Sequence, residues 1–402
     1  MKTPHLVSAC AAILILTIVL IGGTVYALTL EQRYVHALVG RFKMIDVVGS
    51  ALPRAAVQQP DLLLMYGSSE IARRIPDYEA SAVFQYYPTG FAPFEVAHAG
   101  MTSLLVAQQV SALGPSLQGK KIVISFTPSV FLSKMVSSDA YDGLFSYLHA
   151  NELVFSPQLS FDVKQAAARR MLQYPATLDK DPVLTFALQL LAQDTLLSRA
   201  LYDAVWPLGE LQTTVIELQD HWHTVTYLAA HPDWQPDEVR RPGKINWPAL
   251  EAQAQQFEVA HSTSNPFGIP NSIWLDQYHQ QLPFKPAGSE DQGYVNALKH
   301  SLEWTDLDIL LRILKQLGAQ PLLLSRPVNG LVWQAMGVSE AARQVYYDKL
   351  QSIAAKYHVP VVDFQNHDTD KLFSIDTASH TSRLGWVYVD QTLDAFYHGT
   401  LR

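Results

Sequence analysis

Apolar and polar positions along the chain alternate in blocks of two kinds. Short, continuous apolar runs of strand length lie at Leu62–Tyr66, near Phe94–Gly100, at Lys121–Phe126, Pro321–Ser325 and Val359–Phe364. Longer segments with helical spacing separate them, at Thr102–Leu113, Tyr294–Leu317, Ser339–Tyr357 and Thr381–Tyr397. Gly114-Pro115 and Gly318 supply stop signals. Between the third and fourth strands, helical patterns at Ala140–Leu148, Asp162–Gln173, Pro182–Trp206, Glu210–Ala230 and Ala249–His261 form a long insertion, with breaks expected at Pro157, Pro175 and Pro207. The stretches His231–Trp247 and Asn265–Gly293, rich in Pro, Trp or Gly, read as loops. Strands alternating with helices predict an α/β fold: about five parallel strands with helices on both faces. Sites in such sheets lie at the carboxyl ends of the strands, and the insertion is expected to cap one end.

The N-terminus has a different pattern. Leu6 to Leu28 is uncharged throughout, long enough to cross a bilayer and longer than the apolar core of a cleaved leader. It reads as a retained signal anchor. The domain plan is therefore an anchor over 1–30, a juxtamembrane connector over 31–60, and an α/β domain over 61–402 with its helical insertion at 131–293. Lys2 precedes the span and Arg33, Arg41 and Lys43 follow it, so charge alone slightly opposes an inside N-terminus.

Composition narrows the chemistry. The chain has 402 residues, 48% of them hydrophobic, enough for a large core. Its single cysteine, Cys10, lies in the span, which excludes disulfides, a cysteine nucleophile and a cysteine metal site in the globular part. All 37 acidic residues and all but one of the basic ones lie beyond residue 30, leaving that part net acidic and unsuited to nucleic acid. His221 and His223 lack an evident third ligand, and no metal or cofactor is expected.

The first strand stops abruptly at Gly67-Ser68-Ser69-Glu70. A serine on a strand-to-helix turn presents its hydroxyl above the sheet, although the same pattern also makes an ordinary helix cap. Far downstream, Asp376 and His380 lie on one loop between the last strand and the last helix. A carboxylate there orients an imidazole, and an imidazole activates a serine.

Gly67-Ser68-Ser69-Glu70, Asp376, His380 with Gly385-Trp386-Val387-Tyr388-Val389-Asp390, and the terminal Phe396-Tyr397-His398-Gly399 together resemble the DltD family of D-alanyl-lipoteichoic acid biosynthesis, over nearly the whole chain. The resemblance implies an SGNH-hydrolase-like α/β/α fold and a domain on the extracytoplasmic side of the cell membrane. It implies a DltB-type membrane O-acyltransferase and the D-alanyl carrier protein pathway as partners, and lipoteichoic acid as acceptor. It implies Ser69 as nucleophile, with Ser68 as runner-up, His380 as base and Asp376 as its orienter. One more residue separates Asp376 from His380 than the family's Asp-x-x-His allows, so a bulge, or Asp370 in place of Asp376, is required. Backbone N–H groups of Ser69 and Gly100 are the expected oxyanion donors. Ser129 stands in a Thr127-Pro128-Ser129-Val130-Phe131 loop that departs from the family's Ser-Pro-Gln-Trp-Phe, and Arg326 and Asn329 are either substrate contacts or loop braces. The expectation is a membrane-anchored serine acyltransferase working through a D-alanyl-serine intermediate. The alternatives are a thioesterase or GDSL-type esterase acting by hydrolysis, or a non-catalytic tether for the D-alanylation machinery.

Overall fold

The computed structural model describes residues 4–42, 49–231, 234, 243–377 and 379–401. Lys2, Lys43 and most of the 231–247 stretch lie outside the described residues. Helix α1 (Pro4–Tyr34) carries the apolar span and is long enough to cross a membrane. Helix α2 (Ala51–Gln58) leads into β1 (Leu62–Gly67), a one-turn α3 (Ser69–Ala72), α4 (Ala80–Tyr86), β2 (Ala92–Ala97), α5 (Ser103–Ser111) and β3 (Lys121–Phe126). The insertion contains α6 (Ser138–Leu144), α7 (Tyr147–Phe155), α8 (Phe161–Met171), α9 (Pro175–Leu178), α10 (Pro182–Gln193), α11 (Leu196–Ala229), α12 (Trp247–His261) and the single turn α13 (Asn271–Ile273). Helices α14 (Asp291–His300) and α15 (Glu303–Gln316), then β4 (Gln320–Ser325), α16 (Gly330–Ala335), α17 (Glu340–Tyr357), β5 (Val361–Val362) and α18 (Arg383–His398) complete the fold.

The five strands are all parallel, in the order β2-β1-β3-β4-β5. Strand alternation sorts the core into two layers. Leu62, Leu64 and Tyr66 of β1 face one cluster with Ile122, Ile124 and Leu323 and helices α5, α15 and α17. Leu63 and Met65 face the other, with Val123, Leu322, Leu324, Phe84 of α4 and Trp386, Val389 and Leu393 of α18. This is the three-layer α/β/α arrangement that the strand and helix pattern predicts, consistent with an SGNH-hydrolase-like fold.

Two helical segments depart from expectation for local reasons. Tyr294–Leu317 is not one helix: Ser301 turns extended, and the Leu302 N–H bonds the Lys134 carbonyl 2.9 Å away. A tertiary contact outcompetes the intrahelical bond. Pro207 does not end a helix. The break falls earlier, where Asp194 takes a left-handed conformation and Thr195 and Ser198 form a capping box that starts α11. That capping sets a 34-residue helix in motion, and Pro207 is carried inside it. Gly209 of α11 is required by close approach: a Cβ there would overlap the Phe155 ring at 2.1 Å.

Where α7 meets α2 and α11, Arg54 pairs with Glu152 and Glu217. Beside them His149 is buried, and its pKa is pushed down to about 4, chiefly by burial and secondly by Arg54. The native state holds this ring neutral while the unfolded chain protonates near pH 6.5. Stability therefore rises with pH between about 4 and 6.5, by an amount on the order of 3 kcal/mol. Urea unfolding of the full chain in detergent across that range, compared with His149→Gln, checks this: the variant is expected to lose that component of the slope.

Candidate functional site

Strand β1 delivers its last residue, Gly67, against α3 so tightly that a Cβ would lie 2.3 Å from Ile71 Cδ1 and 2.6 Å from Glu70 Oε1. Glycine is thus the residue that lets the chain fold back at this point. Ser68 follows, buried, and its N–H donates to Glu70 Oε1 at 2.9 Å. Its hydroxyl oxygen accepts from the Gly100 N–H at 3.0 Å. Gly100, at φ +89, reaches the turn from the end of β2, the strand paired with β1. Ser69 opens α3 and is partly exposed.

The second half of the site is a loop closed by an antiparallel bridge between Ser374 and Thr381 and by the Ile375 N–H bonding the His380 carbonyl at 2.9 Å. Within it Ser379 is wholly buried in a left-handed conformation, φ +78. This strained residue turns the chain back between Asp376 and His380. Asp376 Oδ1 accepts from the His380 N–H at 3.3 Å, and its Oδ2 lies 2.5 Å from His380 Nδ1. Asp370 is engaged elsewhere, with the His367 ring at 3.3 Å and the Leu372 N–H at 2.9 Å.

A residue that sequence reasoning passed over completes the cluster. Arg73 Nη1 donates to Asp376 Oδ2 at 2.8 Å and stands 3.3 Å from His380 Nδ1. Arg73 is four residues beyond Ser69, the interval that returns to one helix face, and that spacing was the available signal. The Asp376 carboxylate, 3% exposed, is thereby divided between a guanidinium and an imidazole.

Beneath this surface lies Arg326, at 0% exposure. It leaves the end of β4, donates from Nη1 to the Glu70 carbonyl and, at 2.7 Å, to Thr381 Oγ1, and lays its guanidinium 4.1 Å over the Trp386 ring. Burial lowers its pKa to about 10, opposed by Glu70, Asp390 and Glu95. Asp390 of α18, also wholly buried, is pushed well above the usual carboxylate range by burial, against the pull of Arg326. Arg326 therefore braces the two halves of the site from below. Asn329 has a similar part: it caps α16 through the Val332 N–H at 3.1 Å and donates to the Phe267 carbonyl at 3.0 Å. Ser129 Oγ is paired with Thr127 Oγ1 at 2.6 Å. His221 bonds Glu31 at 2.7 Å, and no group of three metal-ligating side chains occurs among the described residues.

The expectation of an enzyme is corrected by this geometry. The fold brings the serine turn and the Asp376–His380 loop to one rim of the sheet, but no hydrogen bond joins either serine to the His380 ring among the described residues. The Ser68 hydroxyl oxygen accepts from the Gly100 N–H, and the Asp376 carboxylate is shared between Arg73 and His380. A serine nucleophile needs its base within hydrogen-bond reach and that base oriented by its own acid. Among the described residues the Asp376–His380 pair is formed without a serine on its ring, and no metal-ligand cluster occurs.

Fold and site together define a class: an SGNH-like α/β/α domain behind a single membrane-length N-terminal helix. The DltD protein family matches residues 42–398, and the chain belongs to that family. It is 28% identical over 349 residues to Protein DltD of Bacillus subtilis (strain 168), covering 87% of this chain and 86% of that one. With Protein DltD of Staphylococcus aureus (strain NCTC 8325 / PS 47) it shares 25% identity over 333 residues, 82% of this chain and 79% of the relative. With that of Lacticaseibacillus rhamnosus it shares 25% over 337 residues, 83% and 77%. Membership places the chain in the Dlt pathway of lipoteichoic acid.

Replacing Arg326 by Met orphans the Glu70 carbonyl and the Thr381 hydroxyl. The expected cost is about 1–3 kcal/mol for each orphaned group, read from urea unfolding. Arg326→Lys is expected to restore less than half, because an ammonium on a shorter stem does not lay a plane on the Trp386 ring.

Proposed function

We propose that this chain is a membrane-anchored, non-catalytic tether of the lipoteichoic acid D-alanylation machinery, with its α/β domain on the extracytoplasmic side. The observation that carries this reading is the disposition of the former catalytic candidates. Ser68, Asp376 and His380 are tied into a braced surface, with Arg73 sharing the carboxylate that orients the His380 ring and with neither serine hydrogen-bonded to that ring among the described residues. Family membership and the single apolar span supply the pathway and the membrane. On this reading the partners are a DltB-type membrane O-acyltransferase and the D-alanyl carrier protein pathway. The rim formed by Ser69, Arg73 and His380 is part of the docking surface, offering a mixed polar face built on rigid elements.

The test separates tether from enzyme directly. Ser68→Ala, Ser69→Ala and the double variant are expected to retain D-alanylation of lipoteichoic acid within about threefold of the parent chain, measured as ester-linked alanine per phosphate in cells lacking the native copy. Loss of about 10³-fold or more in a variant that still reaches the membrane at normal levels would overturn the tether reading.

A further inference from the structure

Helix α11 is amphipathic in an unusual sense: its inner face packs on the insertion, while its outer face is apolar too. Leu197, Leu201, Leu208, Leu211, Val215 and Trp222 are each 42 to 70% exposed. Their spacings are 4, 7, 3, 4 and 7 residues, which at about 100° per residue returns them all to one line along the helix. No ionisable side chain of α11 falls within about 60° of that line. The stripe runs 25 residues, roughly 37 Å at the helical rise.

Its direction is set by α1. His221 bonds Glu31, which lies beyond the uncharged stretch 6–28. The adjacent Trp222 reaches Gly23, inside that stretch, so closely that a Cβ on Gly23 would meet the ring at 2.9 Å. Glu31 and Gly23 are eight residues apart, about 12 Å along the anchor. The Trp222 side of α11 is therefore the side turned toward the membrane-spanning part of α1, and the whole stripe shares that side. An apolar row ending in a tryptophan at the level of a bilayer span is the chemistry of an interfacial helix.

We infer that the exposed apolar stripe of α11 rests in the interfacial layer of the bilayer that α1 crosses, holding the α/β domain down on the membrane surface. The occupant is lipid, because the stripe is continuous at Trp222 with α1, the segment composed to sit among lipid. Arg199 is the only Lys or Arg of α11, so the helix carries no basic row to select anionic headgroups and its insertion depends on apolar area.

The experiment uses the full chain with Cys10→Ser, carrying Leu208→Cys, Leu211→Cys or Val215→Cys in turn, with a nitroxide label. Each is reconstituted in nanodiscs of equal phosphatidylcholine and phosphatidylglycerol. Lys180→Cys, at an exposed position on the insertion, is the reference. Collision rates with oxygen and with a water-soluble nickel chelate are compared. The expected result is an oxygen-to-nickel ratio at least about fivefold above the reference at all three stripe positions, and the same ratio in nanodiscs of phosphatidylcholine alone. Ratios equal to the reference would overturn the inference. So would protection that arises only when a second membrane protein is added, which would make the stripe a protein interface.

Discussion

A single guanidinium holds the working rim of this molecule together. Arg326 is the point where β4, the β1–α3 turn, the Ser374–Thr381 loop and α18 meet, through the Glu70 carbonyl, Thr381 and the face of Trp386. A fully buried cation is costly to desolvate, so its retention implies that the groups around it are held in one arrangement. The apolar layers alone would permit small slips of loop against strand. A planar guanidinium that gives both bonds from Nη1 while stacked on an aromatic ring admits far fewer. The serine turn and the histidine loop, more than 300 residues apart in sequence, are registered to each other by this contact.

The surface above that brace is ordered by competition for one carboxylate. Asp376 faces both Arg73 and His380, and Arg73 is the residue that ends the short helix begun at Ser69. The cluster thus links α3 to the C-terminal loop a second time, from outside, as Arg326 does from inside. A surface cross-linked twice is well suited to presenting fixed polar groups to another molecule, because little ordering remains to be done on contact.

Much of the fold was readable in the chain because its signals are local. The apolar run Leu62–Tyr66, the glycine that ends it and the run at Lys121–Phe126 specify strands with little help from elsewhere. Other features depended on contacts that no local pattern carries. The split at Ser301 follows from a bond to Lys134, and the long α11 from a cap at Thr195. The surplus residue between Asp376 and His380 was legible as a geometric problem, and its answer, a left-handed Ser379, was not. The site was legible in its members and not in its connections. Residue types brought Ser69, His380 and Asp376 forward, but only the folded chain shows Arg73 beside the carboxylate and Arg326 buried beneath.

The anchor helix has one further consequence. It does not stop at the bilayer: Ala27 and Glu31 are buried, and the Glu31–His221 bond sits where the helix enters the domain. Membrane segment and domain therefore share one unbroken rod with no swivel between them. Each residue of that rod advances about 1.5 Å and turns about 100°, so its length sets both the height and the compass bearing of the domain relative to its neighbours in the membrane. Evolution of the juncture is confined to changes that preserve helical phase, a constraint of screw symmetry and not of composition.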